Sequence, residues 1–454
     1  MAMTRNGPAT PSPAEGVSTT RMTDVLRRLV RPEVEDIVAS GLCMGCGACE
    51  AVAGSQALTM HWNARDAYRP RIRGPLDAPT QARIRAICPG LRMELRDGAP
   101  RAPSAGASAG AGDDLFLGHV ERLVEAHAAD PEARFTGSSG GVLSALAIHL
   151  LETGEVAAVL HVAPSATQPV RSQAQISRTR ADVLRAAGSR YGPAAPLALL
   201  GELLRAGEPF AVIGKPCDIA AVRNLSRRLP RVERQVVALL TVMCGGQAEL
   251  PFILEVLRDH GVAEEEVTGF RCRGNGCPGP TAIQTADGRD IRLTYEEVWG
   301  DAIHEWGLPF RCKICPDSQG EQADLLAFDS VAPEHAQGDS EGFNSVLVRT
   351  ARGRELLDAA EQAGTVAVAR ELELSDVHKW QTHIIRRREG ALPRLIGAAL
   401  RNGVVPRVSG YRLLRASAQG GIRSFVRNAA GAWRRAGRAR EIPSAPTNTT
   451  HIAQ

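Results

Sequence analysis

The sequence predicts an α/β protein: a mostly parallel sheet flanked by helices, preceded by a small cysteine-rich unit and followed by a basic helical extension. Three observations carry this. From residue 115 onward, fully apolar strand-like runs alternate with helix-like ones, the pattern of strands covered on both faces. Four cysteines crowd into residues 43–88, ahead of that alternation. Toward the end the chain becomes arginine-rich, with ten arginines and no acidic residue between Arg401 and Arg440.

Taken in order, residues 1–31 are rich in Pro, Ser, Thr and Gly and read as a disordered tail. Residues 32–98 form the cysteine-rich unit, and 99–114, built from Ala, Pro, Ser and Gly, read as a flexible linker. Residues 115–390 form the α/β domain. Within it Val142–Leu151 reads as a helix and Val156–Val162 as a buried strand. Pro196–Arg205 reads as a helix, with the proline tolerated in its first turn. Phe210–Ile213 follows as a strand, Ile219–Leu229 as a helix, Val236–Met243 as a continuous apolar strand and Pro251–His260 as a helix. Residues 391–454 read as a basic helical extension ending in a disordered tail.

A chain of 454 residues can bury a large core in two or three domains. Ten cysteines over that length are too few for a disulfide scaffold, and no secretory signal or apolar run of about 18 residues appears. Reduced thiols in the cytoplasm are the expectation. The net charge of +4 is too small to suggest nucleic acid, and no nucleic-acid motif is present. Arginine outnumbers lysine 51 to 3, which makes the lysines informative. Lys215 lies two residues before Cys217, and Lys313 lies between Cys312 and Cys315.

The first cysteine set reads Cys43-Met-Gly-Cys46-Gly-Ala-Cys49, with Cys88-Pro89 following at a distance. Three thiols in seven residues wrap one face of a cluster, the small residues let backbone amides turn toward sulfur, and the fourth thiol before proline matches ferredoxin runs. Zinc sites pair cysteines two by two. The expectation is a ferredoxin-like unit holding one 4Fe-4S cluster on Cys43, Cys46, Cys49 and Cys88, with a zinc knuckle or free thiols as the alternatives.

Cys217 and Cys244 each follow a predicted strand. Ligands collect at the carboxyl ends of strands in open α/β sheets, so the two can converge although 27 positions apart. Cys312-Lys-Ile-Cys315 supplies two more thiols. A second 4Fe-4S cluster on Cys217, Cys244, Cys312 and Cys315 is expected; the rivals are zinc on Cys312 and Cys315, or ordinary buried thiols at Cys217 and Cys244. Cys272 and Cys277, in Arg271-Cys-Arg273-Gly-Asn-Gly-Cys-Pro, stand as replacements for Cys217 or Cys244. Arg273 is placed beside an anion or an activated thiol.

Thr136-Gly137-Ser138-Ser139-Gly140-Gly141 precedes a predicted helix and can point amides and hydroxyls at an anion. Gly188-Ser189-Arg190-Tyr191-Gly192 offers hydroxyls, a cation and an aromatic face. Each is also compatible with a plain turn. With Lys215 and Arg273 they could line one flavin crevice, where a flavin would convert single electrons to pairs.

At these residues the chain resembles the family of coenzyme F-420 hydrogenase/dehydrogenase beta subunits, related to ferredoxin-dependent divinyl chlorophyllide 8-vinyl reductase and hydroxymethyl chlorophyll reductase. The carriers are the two cysteine sets, Thr136–Gly141, Gly188–Gly192, Gly214-Lys-Pro-Cys217, Arg273-Gly-Asn-Gly and Gly342–Gly353. Leu325–Asp329 departs from the family's pattern. The resemblance implies FAD, one or two 4Fe-4S clusters and coenzyme F-420 or ferredoxin as electron donor or acceptor. The leading expectation is a reductase of a small organic substrate. The others are an electron-input subunit relaying to a partner enzyme, and an iron–sulfur sensor without turnover. The basic extension is a face for anionic lipid at a membrane periphery, a docking face for an acidic ferredoxin or partner subunit, or a solvated appendage.

Overall fold

The computed structural model describes residues 30–95, 111–300, 307–330, 341–404 and 406–439. The expected disordered tail over 1–31 lies outside the described residues except for its last two positions. So do most of the expected linker and everything after Ala439. The last linker residues, Gly112–Asp114, pair with Gly118–Val120 as a small antiparallel ribbon.

A central sheet holds β1 (Arg122–Ala128), β2 (Ala158–Pro164), β3 (Ser172–Ser177), β4 (Phe210–Gly214), β5 (Val236–Val242), β6 (Leu325–Asp329), β7 (Asn344–Val348) and β8 (Val366–Glu371). Their order across the sheet is β8-β1-β7-β6-β5-β4-β2-β3. The middle strands β6, β5, β4 and β2 pair in parallel. Antiparallel pairs with β7, β1 and β8 on one side and β3 on the other extend them. The expected alternation of apolar strands and helices therefore holds at the centre, while the flanks are antiparallel. Strand β7 is buried along its whole length. A fully buried antiparallel strand carries the same apolar run as a parallel one, so composition alone does not give its direction.

Around the sheet lie α1 (Ala48–Ala53), α2 (Ala78–Ile87), α3 (Val142–Glu152), α4 (Pro216–Ser226), α5 (Ala351–Gln362), α6 (Thr382–Glu389), α7 (Ala391–Asn402) and α8 (Gly421–Arg438). Successive strand side chains point to opposite faces. Thus Ala211, Ala238 and Leu240 join α3 and α5 in one core. Phe210, Val212 and Leu239 join α4 and the cysteine-rich unit, through Cys46 and Ala48, in the other. Burial on both faces is the physical reason these strands are apolar throughout.

A three-stranded antiparallel sheet, Val267–Arg271, Thr281–Thr285 and Asp290–Leu293, was not anticipated; it frames the loop carrying Cys272 and Arg273. The solvated-appendage reading of the basic extension is corrected for 391–439. Arg407–Ser409 pairs in parallel with Arg92–Glu94, and α7 and α8 pack with Leu42, Met93, Phe310 and Ile314 in one core. Gly397 permits the close crossing of α7 and α8: a Cβ there would lie 2.1 Å from the Ala429 carbonyl oxygen.

Candidate functional site

The first thiol group is assembled locally. The chain turns at Gly45, whose φ of +70° and approach to Tyr68, 2.3 Å from where a Cβ would sit, admit only glycine. The Gly45 amide donates to Cys43 Sγ at 3.4 Å. Cys49 lies on α1, and Cys88 caps the end of α2. Burial, then Asp218, Cys88 and Cys43, push the Cys46 thiol well above its ordinary range. Burial, then Cys46, Cys43 and Cys88, do the same to Cys49. Burial and Cys43 raise Cys88 to about 12. The four thiols are thus electrostatic neighbours.

The second group is assembled by the sheet. Cys217 sits in the first turn of α4, directly after β4, and Cys244 follows β5. The Cys244 amide donates to Ser318 O at 2.9 Å, which pins the segment after Cys315 against the strand end. Cys217, Cys244, Cys312 and Cys315 line one cavity. Burial, then Asp218, raise Cys217 well above its ordinary range, although Lys215 opposes. Burial and Cys312 raise Cys244 to about 12. Burial also raises Cys312. Of the two replacements, Cys272 is instead packed in the apolar core with Phe270 and Trp299. Cys277 approaches Gly342, where an added Cβ would lie 2.5 Å from its own.

The two groups adjoin. Met44, between two cysteines of the first group, lines the cavity of the second. Arg311 lines the same cavity and donates to Pro89 O, beside Cys88, at 3.0 Å. Asp218 acts on both Cys46 and Cys217. Its Oδ2 accepts from Lys215 Nζ at 2.9 Å, and its buried Oδ1 has no hydrogen-bond partner among the described residues. Burial opposes the Lys215 charge, but Asp218 and the thiols outweigh it and raise its pKa. Arg387 of α6 donates to the carbonyls of Cys244 (3.1 Å), Gly245 (2.7 Å) and Cys312 (3.1 Å).

Clustered, largely enclosed thiols do not ionise together without a cation among them, and burial and neighbouring thiols already push Cys46, Cys49, Cys88, Cys217 and Cys244 upward. An iron–sulfur cluster supplies that charge and takes thiolates as ligands, so both donor sets fit it. Among the described residues no group of three His, Cys, Asp or Glu is arranged to hold a single metal ion. The second set surrounds a cavity rather than converging on a point.

The residues expected around a flavin divide. Ser138 Oγ and Ser189 Oγ hydrogen-bond at 2.7 Å. Arg273 reaches Ser138 O at 2.7 Å, Tyr191 Oη at 3.1 Å and Asp329 at 2.9 Å. Burial opposes its charge, but Asp329 and Tyr191 hold its pKa up. Gly140 and Gly141 lead into α3, where Asn344 Oδ1 accepts from the Val142 amide and Asn344 Nδ2 donates to Ser139 Oγ. Thr136, whose hydroxyl donates to Glu132 O, ends the preceding helix at Gly137. Two residues are placed otherwise than expected. Arg190 gives its guanidinium to Ser172 and to the carbonyls of Pro169, Val170, Arg171 and Phe270, so it braces the main chain. Lys215 stands at the thiol cavity, paired with Asp218.

Sequence reasoning missed Met44, Asp218, Arg311 and Arg387. The first three sit beside a ligand-type cysteine, which is a signal of sorts. Arg387, in Arg386-Arg387-Arg388, offered none.

Known proteins resemble this chain in sequence and in fold. Residues 123–201 match the N-terminal part, and 207–373 the C-terminal part, of coenzyme F420 hydrogenase/dehydrogenase, beta subunit. The chain is 23% identical over 381 residues to coenzyme F420-dependent sulfite reductase of Methanocaldococcus jannaschii, covering 79% of this chain but only 52% of that protein, about half its length. It is 24% identical over 263 residues to the beta subunit of coenzyme F420 hydrogenase of Methanosarcina barkeri, covering 56% of this chain and 82% of that one. It is 25% identical over 247 residues to the beta subunit of F420-dependent formate dehydrogenase 1 of Methanococcus maripaludis, covering 53% and 59%. A chain of the F420-reducing [NiFe] hydrogenase complex from Methanosarcina barkeri shares the fold, with a TM-score of 0.52 at 21% identity over 65% of this chain and 99% of that chain. With both halves of the family pattern spanning the sheet and its strand-end cysteines, the chain belongs to the family of coenzyme F420 hydrogenase/dehydrogenase beta subunits.

Proposed function

We propose that the protein is an oxidoreductase that passes electrons between a two-electron carrier and two adjacent 4Fe-4S clusters. Cys43, Cys46, Cys49 and Cys88, in the ferredoxin-like N-terminal unit, hold one; Cys217, Cys244, Cys312 and Cys315 hold the other. The observation that carries this reading is the packing of two four-thiol groups against each other through Met44, Arg311 and Asp218. The names of the relatives point to coenzyme F420 as the two-electron carrier.

A bound flavin would exchange pairs of electrons with F420 and single electrons with clusters. The Ser138, Ser189, Tyr191 and Arg273 group is the proposed place for FAD, since a buried guanidinium there would stabilise negative charge on a reduced ring or its phosphates. Ferredoxin as the other carrier and a small organic molecule as final acceptor complete the reductase reading.

A second reading is favoured by the relatives named as subunits of larger enzymes: an electron-input subunit relaying to a partner.

The test is a visible spectrum of anaerobically purified protein with iron, acid-labile sulfide and released-flavin counts. About eight irons and eight sulfides per chain are expected from two four-iron clusters. Reduced F420 should then bleach the cluster absorbance. Zinc without iron sinks the proposal, and iron without flavin promotes the non-catalytic sensor.

A further inference from the structure

We propose that the outer face of α8 seats the protein on an anionic lipid surface. The helix is 18 residues long, roughly 27 Å at 1.5 Å per residue. Its inner face, through Ala432 and Ala436, is buried against α7 and against Phe310 and Ile314. Its outer face carries two parallel stripes. Ile422, Val426 and Trp433 recur at helical spacing and are exposed, from 43% at Trp433 to 75% at Ile422. Arg423, Arg427, Arg434 and Arg438 run beside them, all exposed. Leu400 of α7 and Leu414, on the elements packed beside α8, are also exposed, each at 76%. Arg401 of α7 stacks over the Trp433 ring at 4.6 Å, which adds a further cation beside the apolar stripe.

Charge complementarity selects the occupant. No acidic residue lies between Arg401 and Arg440, so a second copy of this face would be repelled and an anionic surface attracted. The apolar side chains form a line along the helix rather than a compact knob. A line fits a plane: a helix lying in a lipid interface inserts such a stripe among the acyl chains while its arginines meet the headgroups. No helix among the described residues is long and apolar enough to cross a membrane, so the seat is peripheral. Phe310 and Ile314 flank Cys312, so this seat would hold the second thiol group about one helix layer from the lipid, an interaxial distance of about 8–10 Å.

Co-sedimentation of the full chain with vesicles tests this. Vesicles containing phosphatidylglycerol should bind it, pure phosphatidylcholine should not, and salt should weaken the binding. The R423Q/R427Q/R434Q triple variant should bind on the order of a hundredfold more weakly, at about 1 kcal/mol per arginine. The I422S/V426S variant should lose on the order of tenfold through lost apolar insertion. All these positions are exposed, so circular dichroism should show an unchanged fold and the iron content should stay at the parent value. Absence of binding to anionic vesicles at low salt overturns the proposal, as does equal binding by the triple variant. Binding of this face to an acidic protein in place of vesicles also overturns it.

Discussion

The two thiol groups reach similar surroundings by opposite routes. The first is written into one short stretch, with three cysteines within seven residues and a fourth at the end of the next long helix. The second has no such stretch. Its cysteines come from two strand ends and a later segment, and they meet because β4 and β5 pair in parallel, Phe210 opposite Val236. Local spacing makes the first group robust to changes elsewhere in the chain. The second depends on sheet register, on Lys215 and on Arg387. The first group is shaped chiefly by its own glycines, with Arg311 braced against Pro89 beside it, whereas the strand ends of the second are closed by charged side chains from other elements.

The largest effects should separate the groups by iron content. Cys46→Ala and Cys312→Ala should each lower the iron count from about eight to about four. The spectrum of the remaining cluster should persist in each. If either change removes all the iron, the two groups form one folding unit and the contrast drawn above fails.

Next in size is Lys215→Met. It leaves Asp218 buried beside two sets of thiols without its cation, and breaking a buried pair in this way costs about 3–5 kcal/mol. Because Lys215 is raised in the folded state, its contribution is complete below the ordinary lysine range and fades only at strongly alkaline pH. Urea midpoints of parent and variant should therefore differ by a constant amount between pH 6 and 9 (a window below roughly 10.4). The iron of the second group should be the less tightly held. A variant as stable as the parent would show that the sheet-built group needs no cation there.

The contrast also explains what could be read in advance. The first group was legible because its geometry is local. The positions of Cys217 and Cys244 were legible because apolar runs mark strands and ligands collect at strand ends. Arg311 and Arg387 were hidden twice. Their contacts, to Pro89 and to Cys244, are separated by 222 and 143 positions, and they stand among 51 arginines in a chain with 3 lysines. The same bias concealed Arg190: an arginine that braces carbonyls and one that binds a cofactor look alike in sequence. Lys215 was singled out correctly as unusual, but its neighbours are thiols and Asp218 rather than the glycine–serine loops. The packing of the basic extension was illegible because half of its core contacts are alanines (Ala391, Ala398, Ala432, Ala436), which carry little pattern, and the rest, Leu395, Val404, Tyr411 and Leu413, are scattered among arginines.

A pH experiment sharpens the dependence of the second group on the sheet. His161 lies buried in β2, donating to or accepting from Ser177 Oγ at 2.7 Å, and burial lowers its pKa from 6.5 to about 4. The unfolded chain therefore takes up this proton first. Stability that is complete above pH 6.5 is lost as pH falls toward 4, by about 3 kcal/mol for a shift of this size. His161→Gln should flatten that loss in urea titrations between pH 7 and 4.5. On acidification of the parent, the second group should release iron before the first. Simultaneous release would mean that the first group leans on the sheet as heavily as the second.

The smallest and most selective effect belongs to Arg387. Its guanidinium ties α6 to three carbonyls around Cys244 and Cys312, and among the described residues nothing comparable reaches the first group from that helix. Arg387→Gln keeps a donor but loses the charge and the fork that spans Gly245 and Cys312. A charged donor to carbonyl groups contributes about 1.5–3 kcal/mol, and the half-buried setting favours the lower end, so global stability should fall by about 2 kcal/mol. The more telling readout is chelator competition. Iron should leave the second group several-fold faster while the rate for the first stays unchanged, and Arg387→Lys should restore only part of the difference, because an ammonium cannot bridge the carbonyls as a fork does. Equal acceleration in both groups would show that Arg387 acts through overall stability, and the second group would then need no brace beyond the sheet itself.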